Sequence, residues 1–250
     1  MHKKNHFTLQ QHFFELRNRV IFSVIFFLIT FFICYFFSEK IYEFLLQPFA
    51  ENSQDNANRK LIYTSPTEAF MTYLKLSLHS ALFFSFPIFA AEIYLFLSPA
   101  LYKNEKKNIL LTFFFAPFLF LCGAIFAFYF ILPNALTFFS SFEVQGSAAS
   151  SILPIQLEIR ISEYLNFVTN LIFGFGVAFQ LPILLLFLIK VDLLSVNDLR
   201  LKRRYWIVII FLMAAILTPP DIMSQVSLAI PMIILFEIVI LIGKTFQNNK

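Results

Sequence analysis

Charge is scarce in this sequence. Asp, Glu, Lys and Arg make up 14% of the 250 residues, whereas 59% are hydrophobic and the mean hydropathy is +0.75. A soluble domain of this length needs more polar surface, so that class is excluded. Glycine is also rare, at 5 residues, and no glycine-rich phosphate loop occurs. The chain has 4 histidines, with no HExxH and no GxSxG. His2 and His6 share helical spacing but lack a third ligand, so they read as solvated side chains. The 2 cysteines, Cys34 and Cys122, sit in apolar runs and read as packing residues rather than a disulfide. No cofactor or metal is expected, and the chain reads as a non-enzyme. Phenylalanine is abundant, at 37 residues. With the many Ile, Lys and Asn, that excess fits AT-rich coding rather than separate functions.

Spanning a hydrocarbon core takes about 20 apolar residues in a helix. Segments 20–37, 73–97, 109–132 and 164–189 qualify. Two shorter ones, 205–218 and 222–242, follow around the break Thr218-Pro219-Pro220-Asp221. They either cross a locally thinned bilayer or form a re-entrant hairpin. The expectation is a single all-α integral membrane domain over 1–250 with six transmembrane helices, the last two short. The segment Met1–Arg19 is polar throughout, unlike the short charged start of a signal peptide, so no cleavable signal is expected.

Orientation follows from the cations in the connections. One side receives Lys3, Lys4, Arg17 and Arg19, then Lys103, Lys106 and Lys107, then Lys190, Arg200, Lys202, Arg203 and Arg204, and finally Lys244 and Lys250. The other receives only Lys40, Arg59, Lys60 and Arg160. Both termini are therefore expected on the cytoplasmic or stromal side. Of the outer connections, Ser38–Glu68 is expected to hold amphipathic helix around Ile41–Leu46, and Gly146–Ser151 reads as a flexible tip. No internal repeat of the secondary-transporter kind is visible.

Polar residues in apolar surroundings are the candidates for function. A carboxylate within a span is costly and normally faces protein or water. Glu92 follows Pro87 by five residues, Glu237 lies in the last apolar stretch, and Gln180 precedes Pro182. Thr218, Asp221, Ser224 and Gln225 cluster at the final break. Each is open to a packing reading, with Asp221 as a helix cap, and to a functional one. Gly174 and Gly176 read as small residues that let helices approach. On the basic side, Glu15 and Glu105 sit among cations. They either balance local charge, Glu15 with Arg19 at i,i+4, or dock a cationic ligand. Paired guanidinium groups suit such a site because their planar forks bind carboxylates bidentately.

Five ordered segments carry a family resemblance. His12-Phe-Phe-Glu-Leu-Arg-Asn-Arg19 resembles an HLxELRxR opening, and Ser65-Pro-Thr-Glu-Ala-Phe70 resembles SPxExF. Phe96 to Glu105 is similar to FxxPaLYxxE, Phe173 to Pro182 to a fourth-span motif, and Leu217 to Gln225 to LTPPDxxSQ. With Ala229-Ile-Pro231 and Phe236-Glu237, the sequence resembles the TatC family, the multi-spanning subunit of twin-arginine protein translocases.

The resemblance implies a receptor for twin-arginine signal peptides of folded precursors. It would work with single-span TatA/TatB-type partners, assemble as a homo-oligomer and use the proton motive force. Glu15, Arg17, Phe96 and Glu105 match the signal-binding surface. Glu92, Gln180, Thr218, Asp221 and Gln225 match intramembrane positions facing partner helices, and Pro48 and Pro87 match structural positions. The host membrane, bacterial inner, thylakoid or mitochondrial, stays open.

Two positions depart from the family's bacterial pattern: Gln180 stands where Glu is frequent, and Glu92 where Gln is common. Either the carboxylate has moved from span four to span two, or both sites have drifted. The alternative function is a secondary transporter of a small ion or solute, with Glu92 and Glu237 as coupling sites.

Overall fold

The computed structural model describes residues 9–52, 61–97, 103–143, 158–218 and 222–248. His2, His6, the Gly146–Ser151 tip and Asp221 lie outside these residues, as does the side chain of Glu105.

The polar start is helical. Helix α1 runs Leu9–Phe36, so the helix extends well upstream of the apolar run from residue 20. After a turn at Phe37, α2 covers Ser38–Asn52, the helix anticipated around Ile41–Leu46. Pro48 is buried within it. There it donates no backbone hydrogen bond, and tertiary packing compensates. Helix α3, Pro66–Leu97, returns antiparallel along α1.

Its start is set by local chemistry. Ser65 precedes Pro66 at the first helical position, and the Glu68 carboxylate accepts from the Thr64 N–H at 2.7 Å. The same carboxylate accepts from the Ser162 hydroxyl at 2.5 Å. A two-residue parallel bridge, β1 (Leu61–Ile62) with β2 (Ile159–Arg160), lies beside it. The connections before α3 and before α6 are thereby pinned together.

Helix α4, Lys103–Phe126, continues through a π turn at Ala127–Ile131 into α5, Leu132–Ser140. The π turn sits just before Pro133, where the ring blocks ordinary helical bonding. Helices α6 (Ile161–Ala178) and α7 (Leu181–Lys190) form the expected fourth span with a break at Phe179-Gln180. Pro182 explains the break, because it cannot donate to the Ala178 carbonyl. A short α8, Val196–Leu201, is N-capped by the Ser195 hydroxyl. Helices α9 (Arg203–Leu217) and α10 (Ile222–Asn248) then pack on each other.

Five apolar helical stretches are long enough to cross a membrane: His12–Phe36, Pro66–Phe96, Phe113–Ser140, Ile161–Lys190 and Ser224–Lys244. Helix α9 has 15 residues, about 22 Å at a rise of about 1.5 Å per residue, shorter than a hydrocarbon core of about 30 Å.

The core lies where α6 is surrounded by α3, α4, α9 and α10. Close approach depends on glycine. A Cβ on Gly174 would stand 2.8 Å from the Leu217 carbonyl oxygen, and one on Gly176 would stand 2.6 Å from the Phe120 ring. The small-residue reading of this segment therefore has a geometric basis. Tyr164, 2% exposed, donates its hydroxyl to the Leu45 carbonyl at 2.9 Å and fastens α2 to α6.

Candidate signal-recognition site

The antiparallel pairing of α1 with α3 brings the start of one beside the end of the other. Glu15 and Arg19, four residues apart, share a face of α1. Arg19 donates from Nη2 and Nε to Glu15 Oε1, at 2.6 and 3.1 Å. It also donates from Nη1 to Glu92 Oε2 on α3 at 2.9 Å. One guanidinium thus joins two carboxylates. The three side chains are between 18% and 23% exposed, so water screens them less than a fully exposed pair. Glu92 is therefore not a lone intramembrane carboxylate. It sits near the end of α3, level with the polar start of α1, and has a cationic partner.

Beside this cluster the His12 ring stacks on Phe96, with centroids 4.3 Å apart and planes tilted by 19°. Phe13 and Phe14 are exposed on the same helical segment. Arg17 is exposed, and its guanidinium lies 5.0 Å over the Phe14 ring. Glu15, Arg17 and Phe96 are thus brought to one end of the α1–α3 pair. His12, Arg19 and Glu92 join them there, although the sequence did not mark Arg19 and His12 as site residues. Arg19 was legible only as a local partner of Glu15, because its bond to Glu92 spans 73 residues. The backbone of Glu105 lies in the first turn of α4.

The other polar candidates occupy separate places. Gln180 donates from Nε2 to the Ala116 carbonyl at 3.1 Å, bridging the α6–α7 break to α4. Buried Thr218 donates its hydroxyl to the Ala214 carbonyl at 2.8 Å. Gln225 donates to the Phe211 carbonyl at 3.3 Å and ties α10 to α9. Pro87 lies exposed within α3. Glu237 accepts from Arg203 at 2.9 Å, near the basic end of the last hairpin.

An apolar groove of about 450 Å³ opens between α2, α3, α4 and α6, lined by residues including Phe44, Phe83, Leu121, Phe128 and Phe173. Its one lining histidine, His79, is 13 residues from Glu92 along α3, about 20 Å. The groove and the carboxylate cluster are therefore distinct features.

Residues 11–231 match the family described as Sec-independent protein translocase protein (TatC). The chain belongs to the TatC family. The Sec-independent protein translocase protein TatC of Rickettsia prowazekii is 50% identical over 98% of this chain and 95% of its own length. The uncharacterized tatC-like protein ymf16 of Reclinomonas americana is 38% identical, covering 95% and 87%. A crystal structure of a twin-arginine translocase receptor, TatC in DDM, superimposes with a TM-score of 0.77 at 34% identity. That match covers 93% of this chain and 99% of the other. The resemblance read from five short segments thus extends over nearly the whole chain. As a TatC-family member it is a multi-pass membrane protein of the translocase type.

Proposed function

We propose that the chain is the receptor subunit of a twin-arginine translocase. In this reading it binds the twin-arginine signals of folded precursors and nucleates a complex with single-span TatA/TatB-type subunits and further copies of itself. Transport is driven by the proton motive force, and this chain performs no catalysis. Both termini face the cytoplasm or stroma, and α9 makes a short fifth crossing, for six in all.

The observation that carries this reading is the Glu15–Arg19–Glu92 cluster. It presents two carboxylates against one guanidinium, so one negative charge is uncompensated within it. Such a site favours an arriving guanidinium, whose planar fork can engage a carboxylate bidentately, over an ammonium, which acts as a point charge. Phe96, stacked on His12 beside the cluster, supplies apolar contact for residues flanking the arginine pair. Glu15, Arg17, Phe96 and Glu105 form the signal-binding surface. Gln180 and Gln225 hold the helices that meet partner spans, Glu92, Thr218 and Asp221 belong to the same set of intramembrane positions, and Pro48 and Pro87 shape α2 and α3.

Co-purification with a twin-arginine precursor and with its twin-lysine version tests the proposal. Retention of the first and loss of the second is expected. Equal retention of both, or of neither, contradicts it. The ion pairs of Glu92 and Glu237 with Arg19 and Arg203 leave no isolated carboxylate at either position to favour a solute transporter.

A further inference from the structure

Glu15 cannot be understood without Glu92. Both bonds that Arg19 makes to Glu15 fall on a single oxygen, Oε1, while its remaining terminal nitrogen, Nη1, is drawn to α3 by Glu92. The guanidinium is thus divided between two carboxylates on different helices. Removal of either acid alters how fully the other is neutralised, because an ion pair held at hydrogen-bond distance is mutually compensating.

We propose that Glu92 is a positioning residue that keeps Glu15 receptive. By sharing Arg19, it prevents that arginine from neutralising Glu15 completely, and it leaves the cluster one negative charge for an incoming guanidinium. This inference rests on the reading of the α1–α3 end as the signal-recognition site. Arg19 acts as a resident stand-in for the ligand, since it engages Glu15 with the same chemical group. An arriving arginine therefore competes with an internal one, and the bond to Glu92 gives the internal one somewhere to go. Arg17, the neighbouring cation on α1, lies over Phe14.

The charge arithmetic separates this from simple helix fastening. With Glu92→Gln, Glu15 and Arg19 become a closed one-to-one pair, and the cluster loses its net negative charge. Binding should weaken. With Glu92→Gln and Arg19→Gln together, Glu15 is again an uncompensated carboxylate, and binding should return. A purely structural tie between α1 and α3 makes the opposite forecast, because the double variant breaks the same tie and adds a second loss.

The probe is a synthetic twin-arginine signal peptide, with its twin-lysine version as control. Binding is measured to the full-length protein in lipid nanodiscs at several salt concentrations. Glu92→Gln should weaken twin-arginine binding by about tenfold and flatten its salt dependence. The double variant should recover to within a few-fold of wild type and regain that dependence. Its one remaining charge, the Glu15 carboxylate, is 23% exposed and reaches water, so the double variant serves as an independent test should the single variant fold poorly. A silent Glu92→Gln in a well-folded protein overturns the inference, as does a folded double variant that binds no better than the single one. If wild type itself fails to prefer twin arginine, the receptor reading falls, and this inference with it. Wild-type preference with a silent Glu92→Gln overturns the inference alone.

Discussion

The side-chain amide of Gln180 donates to the backbone carbonyl of Ala116 at 3.1 Å, joining the break between α6 and α7 to the middle of α4. The bond requires a donor. An ionised carboxylate has none, so Glu at this position would satisfy Ala116 only when protonated. Glu92, in contrast, accepts from Arg19 and uses its charge to do so. The two positions carry different chemistry, although their residue types look exchanged relative to the family.

Exchange of the two residues should therefore fail as a rescue. If the carboxylate had simply moved between spans, Gln180→Glu would restore export to Glu92→Gln. The geometry predicts no restoration, because a carboxylate at Gln180 cannot reach the role that Glu92 plays beside Arg19. Export of a twin-arginine reporter at equal subunit abundance measures this. Recovery in the double variant would favour relocation.

Gly174 sets how closely α6 meets the end of α9. Because an added Cβ would stand 2.8 Å from a backbone oxygen of Leu217, no side-chain rotation relieves the clash. Gly174→Val should destabilise the protein by about 1–3 kcal/mol. Thermal unfolding in detergent should report it as a lower midpoint. An unchanged midpoint would mean that the α6–α9 contact is looser than described.

Glu237 and Arg203 are 41% and 46% exposed in their side chains, and exposed pairs are worth below about 1 kcal/mol. Glu237→Gln should therefore leave abundance and export near wild type. Abolished export with normal abundance would instead mark Glu237 as a coupling carboxylate.

The cation distribution also makes a topological forecast. A reporter fused after Asn248 should be cytoplasmic or stromal, and one inserted within Asn52–Asn58 should be external. An external C-terminus would eliminate the even number of crossings and with it the short α9 span.

Most of the helices were legible because four apolar runs are long and bounded by charge, as at Arg19 and Lys190. Their limits were less so. Segment 9–19 is polar, and only its pairing with α3 makes it part of the packed structure. The π turn before Pro133 and the hydrogen bond that Ser162 donates to Glu68 depend on neighbours that no periodicity encodes. In the site, Glu15 and Phe96 were visible as members of motifs. The attachment of Arg19 to Glu92 was not, because it joins helices through residues 73 positions apart, and a sequence read without its fold shows only the i,i+4 half.

The most direct test of the receptor account is photo-crosslinking from Phe96, which lies one turn beyond Glu92 on α3 and stacks on His12. A photoreactive residue there should form an adduct with a twin-arginine precursor and lose it when the pair is changed to lysine. The same probe at Tyr63, which is 64% exposed in the connection before α3, should not form an adduct that depends on the arginine pair. Equal yields for arginine and lysine precursors at Phe96, or an arginine-dependent adduct only at Tyr63, would contradict the account.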